Sequence, residues 1–573
     1  MFLPTTQNEV KKLNWNRLDV ILVTGDAYID SPFMGIAVIG KVLVDQGFRV
    51  GIIAQPGMDA GKDISRLGEP ALFWGITGGC VDSMVTNYTA LKKKRKKDDY
   101  TPGGINNQRP DRAVIAYSNL VRKYFKKTRP IVLGGIEASL RRIAHYDFWS
   151  DKIRRSVLFD AKANFLLFGM AHSSIIKFAR AIRENKNPES LNGVAYISNK
   201  KKGKELPSFE TVRKNKDQYI KSFQLFYENN DPITAIGLCQ RHQDRYLVLN
   251  PPEPYSTSLE LDHIHSLEFE RDLHPYYKRH GTVRALSTIK FSIPTHYGCY
   301  GECNFCAISV HQGRTVRYRS SESIINEAKT ISRLKDFKGY ITDLGGPTAN
   351  MYGFECKKKL KKGACNDKRC LFPVPCKSLC PDHSKHMDLI RKIEKLSNIK
   401  KVFISSGIRY DLIFNDKNNG TAYLEKIVKD NVSGQMKIAP EHIVPHVLNL
   451  MGKQSSNLVL QFKNKFDLLS KKSGKKQFLT YYLIAAHPGC DMKDMAALKK
   501  FCTNKLKTRP EQVQIFTPSP STYSTLMYYT GLDPFLMAAI YIEKDQKKKE
   551  KQKKIITDKL SRQGFRRRKQ HNR

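Results

Sequence analysis

The chain has 573 residues, of which 40% are hydrophobic and 27% charged, so it can form two or three folded domains and is not a disordered chain. Lys and Arg number 98 against 54 Asp and Glu, a net charge of +44 that attracts anions such as nucleic acid, although a solvated surface explains it better. The absence of an apolar run of about 18 residues and of a signal-peptide pattern predicts a cytoplasmic protein with no membrane contact. Its 12 cysteines are therefore expected to serve metal or redox chemistry.

The first part of the chain alternates short apolar runs with helical periodicity. RLDVILV (17–23), RVGIIA (49–54), ALFWGIT (71–77) and PIVLGG (130–135) are predicted strands, and a glycine lies within or just after each. Because strands that alternate with helices form parallel sheets, residues 1–200 are predicted to be an N-terminal parallel α/β domain. Residues 201–284, rich in Pro, His and Tyr, are predicted to connect it to the next domain.

About six further strand and helix pairs are predicted within residues 285–540. The first strand is predicted in RALSTIKFSIP (284–294), and glycines and polar residues gather where the strands end. This pattern predicts a partial (β/α)6 barrel of the TIM type, with its chemistry at the carboxyl ends of the strands. The basic tail, 541–573, is too polar to form a core and is predicted to be disordered.

Three cysteines follow the first predicted barrel strand in HYGCYGECNFCAIS (296–309), at Cys299, Cys303 and Cys306. Their C-x3-C-x2-C spacing lets one loop wrap a single cluster. Three thiolates on four irons leave one iron without a protein ligand, and an open coordination position binds something other than protein. A zinc-binding loop and incidental core cysteines are the alternatives, and the placement after a barrel strand favours the cluster.

Other polar residues end the later barrel strands. Gly345 and Gly346 end the second strand, and glycine lets a ligand approach the backbone closely. Further candidates at the same rim are Ser405, Ser406, Arg409 and Asp411 after the third strand, Glu441 and His442 after the fourth, and His487 after the fifth.

The sequence resembles the radical S-adenosylmethionine (SAM) enzymes in the cysteine motif, where the aromatic Phe305 also matches the family. At a finer level DLGGPTANMY, GGIEASLRRIAHYDFWSDKIRRS (134–156), QRHQDRYLVLNPP and FTPSPSTYSTLMYYTG resemble the YgiQ-type radical SAM proteins, and the likeness covers nearly the whole chain. The resemblance implies a [4Fe–4S] cluster on the three cysteines and SAM chelated to the open iron by its amino and carboxylate groups. Reduction would then split SAM to methionine and a 5′-deoxyadenosyl radical.

The same resemblance implies further roles in this sequence. The Gly345–Gly346 turn would meet the methionine end of SAM, and Phe305, Ser405, Arg409 and Glu441 would be cofactor-binding residues. An electron donor such as flavodoxin or ferredoxin is implied as a partner. The N-terminal domain would have a cobalamin-binding-like fold, but GDAYIDSPFMG (25–35) lacks the histidine of D-x-H-x-x-G, which favours a domain that recognises substrate over one that binds cobalamin.

A second cysteine group lies in the insert 352–386, which contains five cysteines with no C-x2-C pair: Cys356, Cys365, Cys370, Cys376 and Cys380. Two histidines follow them. An iron–sulfur cluster, a zinc site and free thiols all fit this spacing, and a second metal site is favoured.

The substrate is not indicated by the sequence, and modification of RNA or protein is the alternative within the enzyme class. FTPSPSTYS resembles the segment before the RNA-binding module of tRNA methylthiotransferases, but the tail here is too short and charged to be that module. Two hypotheses of other classes are an iron–sulfur electron carrier without catalysis and a basic nucleic-acid-binding protein whose cysteines hold zinc.

Overall fold

A nine-stranded sheet forms the core of the N-terminal half in the computed structural model, which describes residues 1–59, 61–455 and 457–558. Five parallel strands lie in the order second, first, third, fourth, fifth, and four more continue the sheet from the fifth strand. The parallel strands are Val20–Thr24, Val50–Ala54, Phe73–Thr77, Ile131–Gly134 and Phe165–Leu167; the others, in sheet order, are Val194–Ser198, Arg245–Leu249, Leu238–His242 and Lys204–Leu206.

The strands Val20–Thr24 and Val50–Ala54 are almost entirely apolar and are buried at every position, as expected for a parallel sheet with helices on both faces. The α-helices are Gln7–Lys12, Gly35–Asp45, Gly61–Ser65, Ser83–Asn87, Ala113–Tyr124, Gly135–Leu140, Val157–Asp160, His172–Arg183, Phe209–Lys214, Lys216–Glu228, Ser258–Ser266 and Pro275–Lys278. Short 3₁₀ turns lie at Pro102–Gly104 and Pro188–Ser190, and two small ladders pair Ile29–Asp30 with Asp272–Leu273 and His145–Asp147 with Lys152–Arg154.

The sheet extends beyond the boundary that the sequence placed at residue 200. Three of its strands come from the segment 201–284, which was predicted to be only a connection. The strand Leu238–His242 was missed because three consecutive polar residues, Gln, Arg and His, make up most of it; Gln240 is buried and accepts a hydrogen bond from Ala144 N at 2.8 Å.

A second α/β unit follows, with six parallel strand segments in chain order, as the predicted partial barrel requires. The barrel strands, first to sixth, are Ser292–Pro294, Tyr340–Gly345 (interrupted at 342), Lys401–Val402, Gln435–Glu441, Phe478–Ala485 and Val513–Ile515. A bridge between Ile408 and Ile438 joins the third strand's continuation to the fourth strand.

Helices of the barrel alternate with these strands. They are Arg284–Ile289, Ile308–His311, Ser321–Ser332, Lys357–Lys362, Ser384–Glu394, Tyr410–Asn415, Gly420–Lys426, Pro445–Met451, Asn457–Lys472, Met492–Asn504, Tyr523–Thr530 and Gln546–Thr557, with a 3₁₀ turn at Ala349–Met351 and a π-helical turn at Ile427–Asn431. A two-residue ladder pairs His296–Tyr297 with Arg317–Tyr318.

The first barrel strand is shorter than predicted. Residues 284–289 form a helix, and only Ser292–Pro294 pair with the second strand. Ala285 N donates a hydrogen bond to Asp99 O at 2.9 Å, so this segment contacts the N-terminal domain instead of extending the ladder.

The prediction of a disordered tail is wrong for residues 546–557. Gln546–Thr557 is a helix that packs against Met492–Asn504. Ile556 is buried, and the amide of Gln552 accepts from Ala486 N at 2.9 Å and donates to Cys490 O at 3.1 Å. The amino-acid composition did not indicate this helix, because the contacts that hold it to the barrel are mainly polar. Residues 559–573 of the predicted tail lie outside the described residues.

The helices within the described residues include none with the length and apolar character required to cross a lipid bilayer.

We predict that Gln552→Ala lowers the free energy of unfolding by about 1–3 kcal/mol, because it leaves buried backbone groups at Ala486 and Cys490 without a partner. Urea unfolding followed by circular dichroism measures this change. The control is Lys551→Ala, one residue earlier on the exposed side of the same helix. Equal stability of the two variants would mean that the helix does not pack on the barrel.

Candidate functional site

The three cysteines lie on one loop at the carboxyl end of the first barrel strand, and all three are half-buried. Cys306 N donates to Cys303 O at 3.0 Å, which closes a tight turn. Gly301 N points at Cys299 Sγ from 3.3 Å, and Thr348 Oγ1 lies 3.7 Å from the same sulfur. The sulfur of Cys299 therefore has a backbone donor from its own loop and the Thr348 hydroxyl beside it.

Without a metal, Cys299 and Cys306 hold their protons. Burial raises the pKa of Cys306 to about 12, and the nearby Cys303 adds to the effect. Burial also raises the pKa of Cys299, against the opposing charge of Arg409. Thiolates crowded in a dry site are stable only when cations bind them, so the loop is suited to a metal centre.

Arg409 lies beside the sulfur atoms of the cysteine loop. Its Nη1 lies 3.7 Å from Cys303 Sγ, and its Nε donates to Asp411 Oδ1 at 3.0 Å. Burial favours the neutral form of Asp411, but Arg409 outweighs burial and the pKa of that carboxyl lies below its usual value. The ion pair fixes the guanidinium beside the sulfurs, where it stabilises negative charge.

The glycine pair at the end of the second strand packs against the cysteine loop. A Cβ on Gly346 would lie 2.7 Å from His296 Cε1 and 2.8 Å from the His296 carbonyl oxygen, so only glycine fits there. Gly345 faces Ser406, with a Cβ contact of 3.3 Å. The backbone of Gly346 is therefore closely approached, as predicted, and the group that approaches it is His296 of the same chain.

The candidate residues after the third and fourth barrel strands differ in whether their polar groups already have hydrogen-bond partners. Ser405 Oγ donates to Thr342 O at 2.7 Å, and Ser405 N donates to Asp343, so this serine is used within the strand ends. Glu441 has φ +65° and is buried; burial raises its pKa, although Lys453, 3.8 Å away, opposes this. Its charge also acts on Cys306, which places it beside the cysteine loop.

The remaining rim candidates have structural partners. Phe305 lies edge-on to His487 at 6.2 Å between ring centroids, and His487 Nε2 lies 2.7 Å from Ser524 Oγ. His442 Nε2 lies 3.7 Å from Cys490 Sγ, and burial lowers the pKa of His442 to about 3.

The cysteine insert brings four of its cysteines together and leaves one apart. Cys356, Cys365, Cys370 and Cys376 line one void, whereas Cys380 is exposed. The histidines of the insert are elsewhere: His383 Nδ1 lies 2.7 Å from Asp416 Oδ2, and His386 Nδ1 lies 3.1 Å from the Tyr423 hydroxyl. Within the described residues, no three Cys, His, Asp or Glu side chains are placed as the ligands of one metal ion.

Sequence reasoning missed Glu302, the residue before Cys303. Its buried carboxylate accepts from Arg314 Nε at 2.7 Å and from Lys359 Nζ at 2.9 Å. The sequence around Glu302 does not indicate its role, because the two cations that pair with it lie 12 and 57 residues further along the chain.

A cavity of about 420 Å³ lies between the two halves of the protein. Its floor is formed by the carboxyl ends of the first and third strands of the large sheet, with Thr24, Asp26 and Gly79, at the point where the strand order reverses. Open α/β sheets bind ligands at this point. From the barrel side, His296 and Gly346 line the same cavity, which therefore extends to the cysteine loop.

The wall of this cavity is mostly apolar and uncharged. No Lys or Arg is among its described lining residues, and its one carboxylate, Asp26, is paired with Arg109 Nη2 at 2.7 Å. Burial lowers the pKa of His172, His296 and His311 to about 4 each, so all three are neutral near pH 7.

Comparison with known proteins identifies the family. Residues 2–292 match the model described as Radical SAM N-terminal. The chain is 56% identical to a UPF0313 protein of Fusobacterium nucleatum over 97% of this chain and 99% of the relative, and 47% identical to a UPF0313 protein of Thermotoga maritima over 97% and 98%. The chain belongs to the UPF0313 family of radical SAM proteins. It is thus an enzyme of this superfamily, and the predicted family is confirmed.

Solved structures support the predicted fold. The radical SAM methyltransferase TsrM from Kitasatospora setae, solved with cobalamin and a [4Fe–4S] cluster, matches with a TM-score of 0.52 and 13% identity, over 89% of this chain and 77% of that chain. The cobalamin-dependent radical SAM enzyme OxsB, with aqua-cobalamin, matches with a TM-score of 0.50 and 10% identity, over 89% and 55%. At such identities the likeness concerns the fold alone.

We predict that Gly346→Ala weakens SAM binding by at least about tenfold, roughly 1.4 kcal/mol, because the new methyl group must displace His296 and the cysteine loop beneath it. Equilibrium dialysis with SAM on the anaerobic, cluster-loaded protein measures this. Gly407→Ala is the control, since a Cβ there meets no atom within 4 Å. An unchanged dissociation constant for Gly346→Ala would exclude this turn from the SAM site.

Proposed function

We propose that this protein cleaves SAM reductively and uses the resulting 5′-deoxyadenosyl radical on a substrate bound between its two halves. Cys299, Cys303 and Cys306 would bind three irons of a [4Fe–4S] cluster, which supplies the electron for cleavage and the open iron for SAM. A low-potential protein such as flavodoxin or ferredoxin would supply that electron. The observation that carries the proposal is the single loop with three half-buried thiols at the barrel rim.

The chain's own residues would hold the reactants in place. Arg409 offsets negative charge at the sulfurs from 3.7 Å. Gly346, where a side chain would collide with His296, would present bare backbone to the amino-acid end of SAM. Glu441, with its raised pKa, is suited to hydrogen bonding with a ribose hydroxyl. Ser405 is a weaker candidate than its position implied, because its hydroxyl already donates to Thr342 O.

The cavity beside the rim is the proposed substrate chamber. Its wall carries neutral histidines and apolar side chains, so the group that reacts is expected to be uncharged and largely apolar. A phosphate-rich RNA segment would need cationic side chains at the wall, and for this reason we rank RNA below a neutral small molecule or an apolar protein side chain. The basic outer surface is still compatible with a larger anionic carrier.

Cobalamin is a second candidate for the chamber. The chamber lies at the switch point of the sheet, and structures of similar fold contain cobalamin. The absence of D-x-H-x-x-G argues only against a histidine ligand from that motif.

We predict that Ala at Cys299, Cys303 or Cys306 abolishes formation of 5′-deoxyadenosine, because each change removes one iron ligand. Chromatography after anaerobic incubation with SAM and dithionite measures the product. Cys502→Ala is the control, since this buried cysteine lies in the helix Met492–Asn504 away from the loop. Full product formation by any of the three loop variants would contradict the proposal.

With cobalamin as the occupant of the chamber, we predict that the protein retains hydroxocobalamin and that Gly35→Trp prevents this. Gly35 lines the chamber and a Cβ there meets no atom within 4 Å, so the indole can enter without backbone strain. Gel filtration with the cofactor's visible absorbance measures retention, and Gly35→Ala, which leaves the space open, is the control. Retention that is equal in both variants, or absent from the natural protein, would exclude cobalamin while leaving SAM cleavage untouched.

A further inference from the structure

Four cysteines of the insert surround one void close to the cysteine loop. Cys356, Cys365, Cys370 and Cys376 line it, and Cys376 N donates to Cys370 O at 2.8 Å, which holds the last two in a turn. Cys356 and Cys370 are buried. The fifth cysteine, Cys380, is exposed, and its Sγ lies 3.7 Å from Lys377 O, away from the void.

Two buried cations, Lys359 in the lining of the void and Arg314 beside it, share one buried carboxylate, Glu302. Lys359 is almost fully buried, and its Nζ lies 3.7 Å from Cys370 Sγ. Arg314, also buried, donates to Cys365 O at 3.2 Å. Glu302 balances only one of these two cations. Buried cations are stable when paired, and deprotonated cysteines would supply the remaining negative charge.

The arrangement of the four thiols differs from that of a zinc site. Ligands of zinc converge on a single ion in tetrahedral geometry. In the described part of the chain, the four insert cysteines do not converge on one point in this way, and neither do the three cysteines of the cysteine loop. The four insert cysteines nevertheless line one void. Cysteines that ligate a cubane bind separate irons at its corners and stand further apart.

We propose that Cys356, Cys365, Cys370 and Cys376 bind a second [4Fe–4S] cluster, with one protein thiolate on every iron. Such a cluster has no open iron and does not bind SAM. It extends the proposed function but does not depend on SAM cleavage, because its ligands are all outside the C-x3-C-x2-C loop.

Two contacts link this centre to the cysteine loop. Lys359 donates to Glu302, which lies between Cys299 and Cys303 in the chain. In addition, Cys299 and Cys376 both pack on a cluster of apolar side chains that includes Tyr300, Phe354, Leu371 and Leu412. Loading the second centre would therefore help to order the loop that holds the first.

Iron counting in the full chain tests the proposal. After anaerobic reconstitution with ferrous iron and sulfide, the natural protein should hold about eight irons, and the triple variant Cys299→Ala, Cys303→Ala, Cys306→Ala about four. The triple variant should remain brown, and its reduced electron paramagnetic resonance signal should not change when SAM is added. Adding Cys370→Ser to the triple variant should remove most of the remaining iron, whereas adding Cys380→Ser should not.

The proposal is overturned if the triple variant is colourless and iron-free while the natural protein holds about four irons, or if the triple variant holds zinc in place of iron. Circular dichroism of the triple variant, which keeps all four insert cysteines, shows whether it is folded. If Cys370→Ser impairs folding, the iron content and spectrum of the triple variant alone decide. Failure of SAM cleavage in the natural protein would not affect this result.

Discussion

A buried carboxylate, Glu302, holds the cysteine loop in position. It adopts φ +45° between the first two cysteines, and its side chain pairs with Arg314 and Lys359. Its carbonyl also accepts from Arg369 Nη1 at 2.8 Å. Removing one partner of such a buried group costs about 3–5 kcal/mol, because the remaining charges stay buried and unpaired. The geometry of the three thiols therefore depends in part on the insert, whose Lys359 lies 57 residues after Glu302.

The two halves of the protein meet at their strand ends. The large sheet presents Thr24 and Gly79 at its switch point, and the barrel presents His296 and Gly346 at its rim, so one cavity borders both. Radicals need a site from which water is excluded. A cavity bordered by two α/β units would help to meet this need, and its mostly apolar, uncharged wall would limit which groups can enter.

Much of the architecture could be predicted because β-branched runs such as VILVT end close to glycines. The cysteine loop was found because its spacing is local in sequence. What escaped prediction depends on distant partners: the strand with Gln240, the helix with Gln552, and the cations that pair with Glu302. The hydrogen bond of Ser405 escaped prediction for the same reason, since its partner Asp343 lies 62 residues earlier in the chain.

The central claim is that the cysteine loop holds a cluster with one iron free for SAM. Electron–nuclear double resonance on the reduced protein, with SAM labelled with nitrogen-15 at its amino group, tests this directly. The account predicts a hyperfine coupling from that nitrogen, because the amino group would be bonded to the open iron. A cluster signal without this coupling, in protein saturated with SAM, would contradict it.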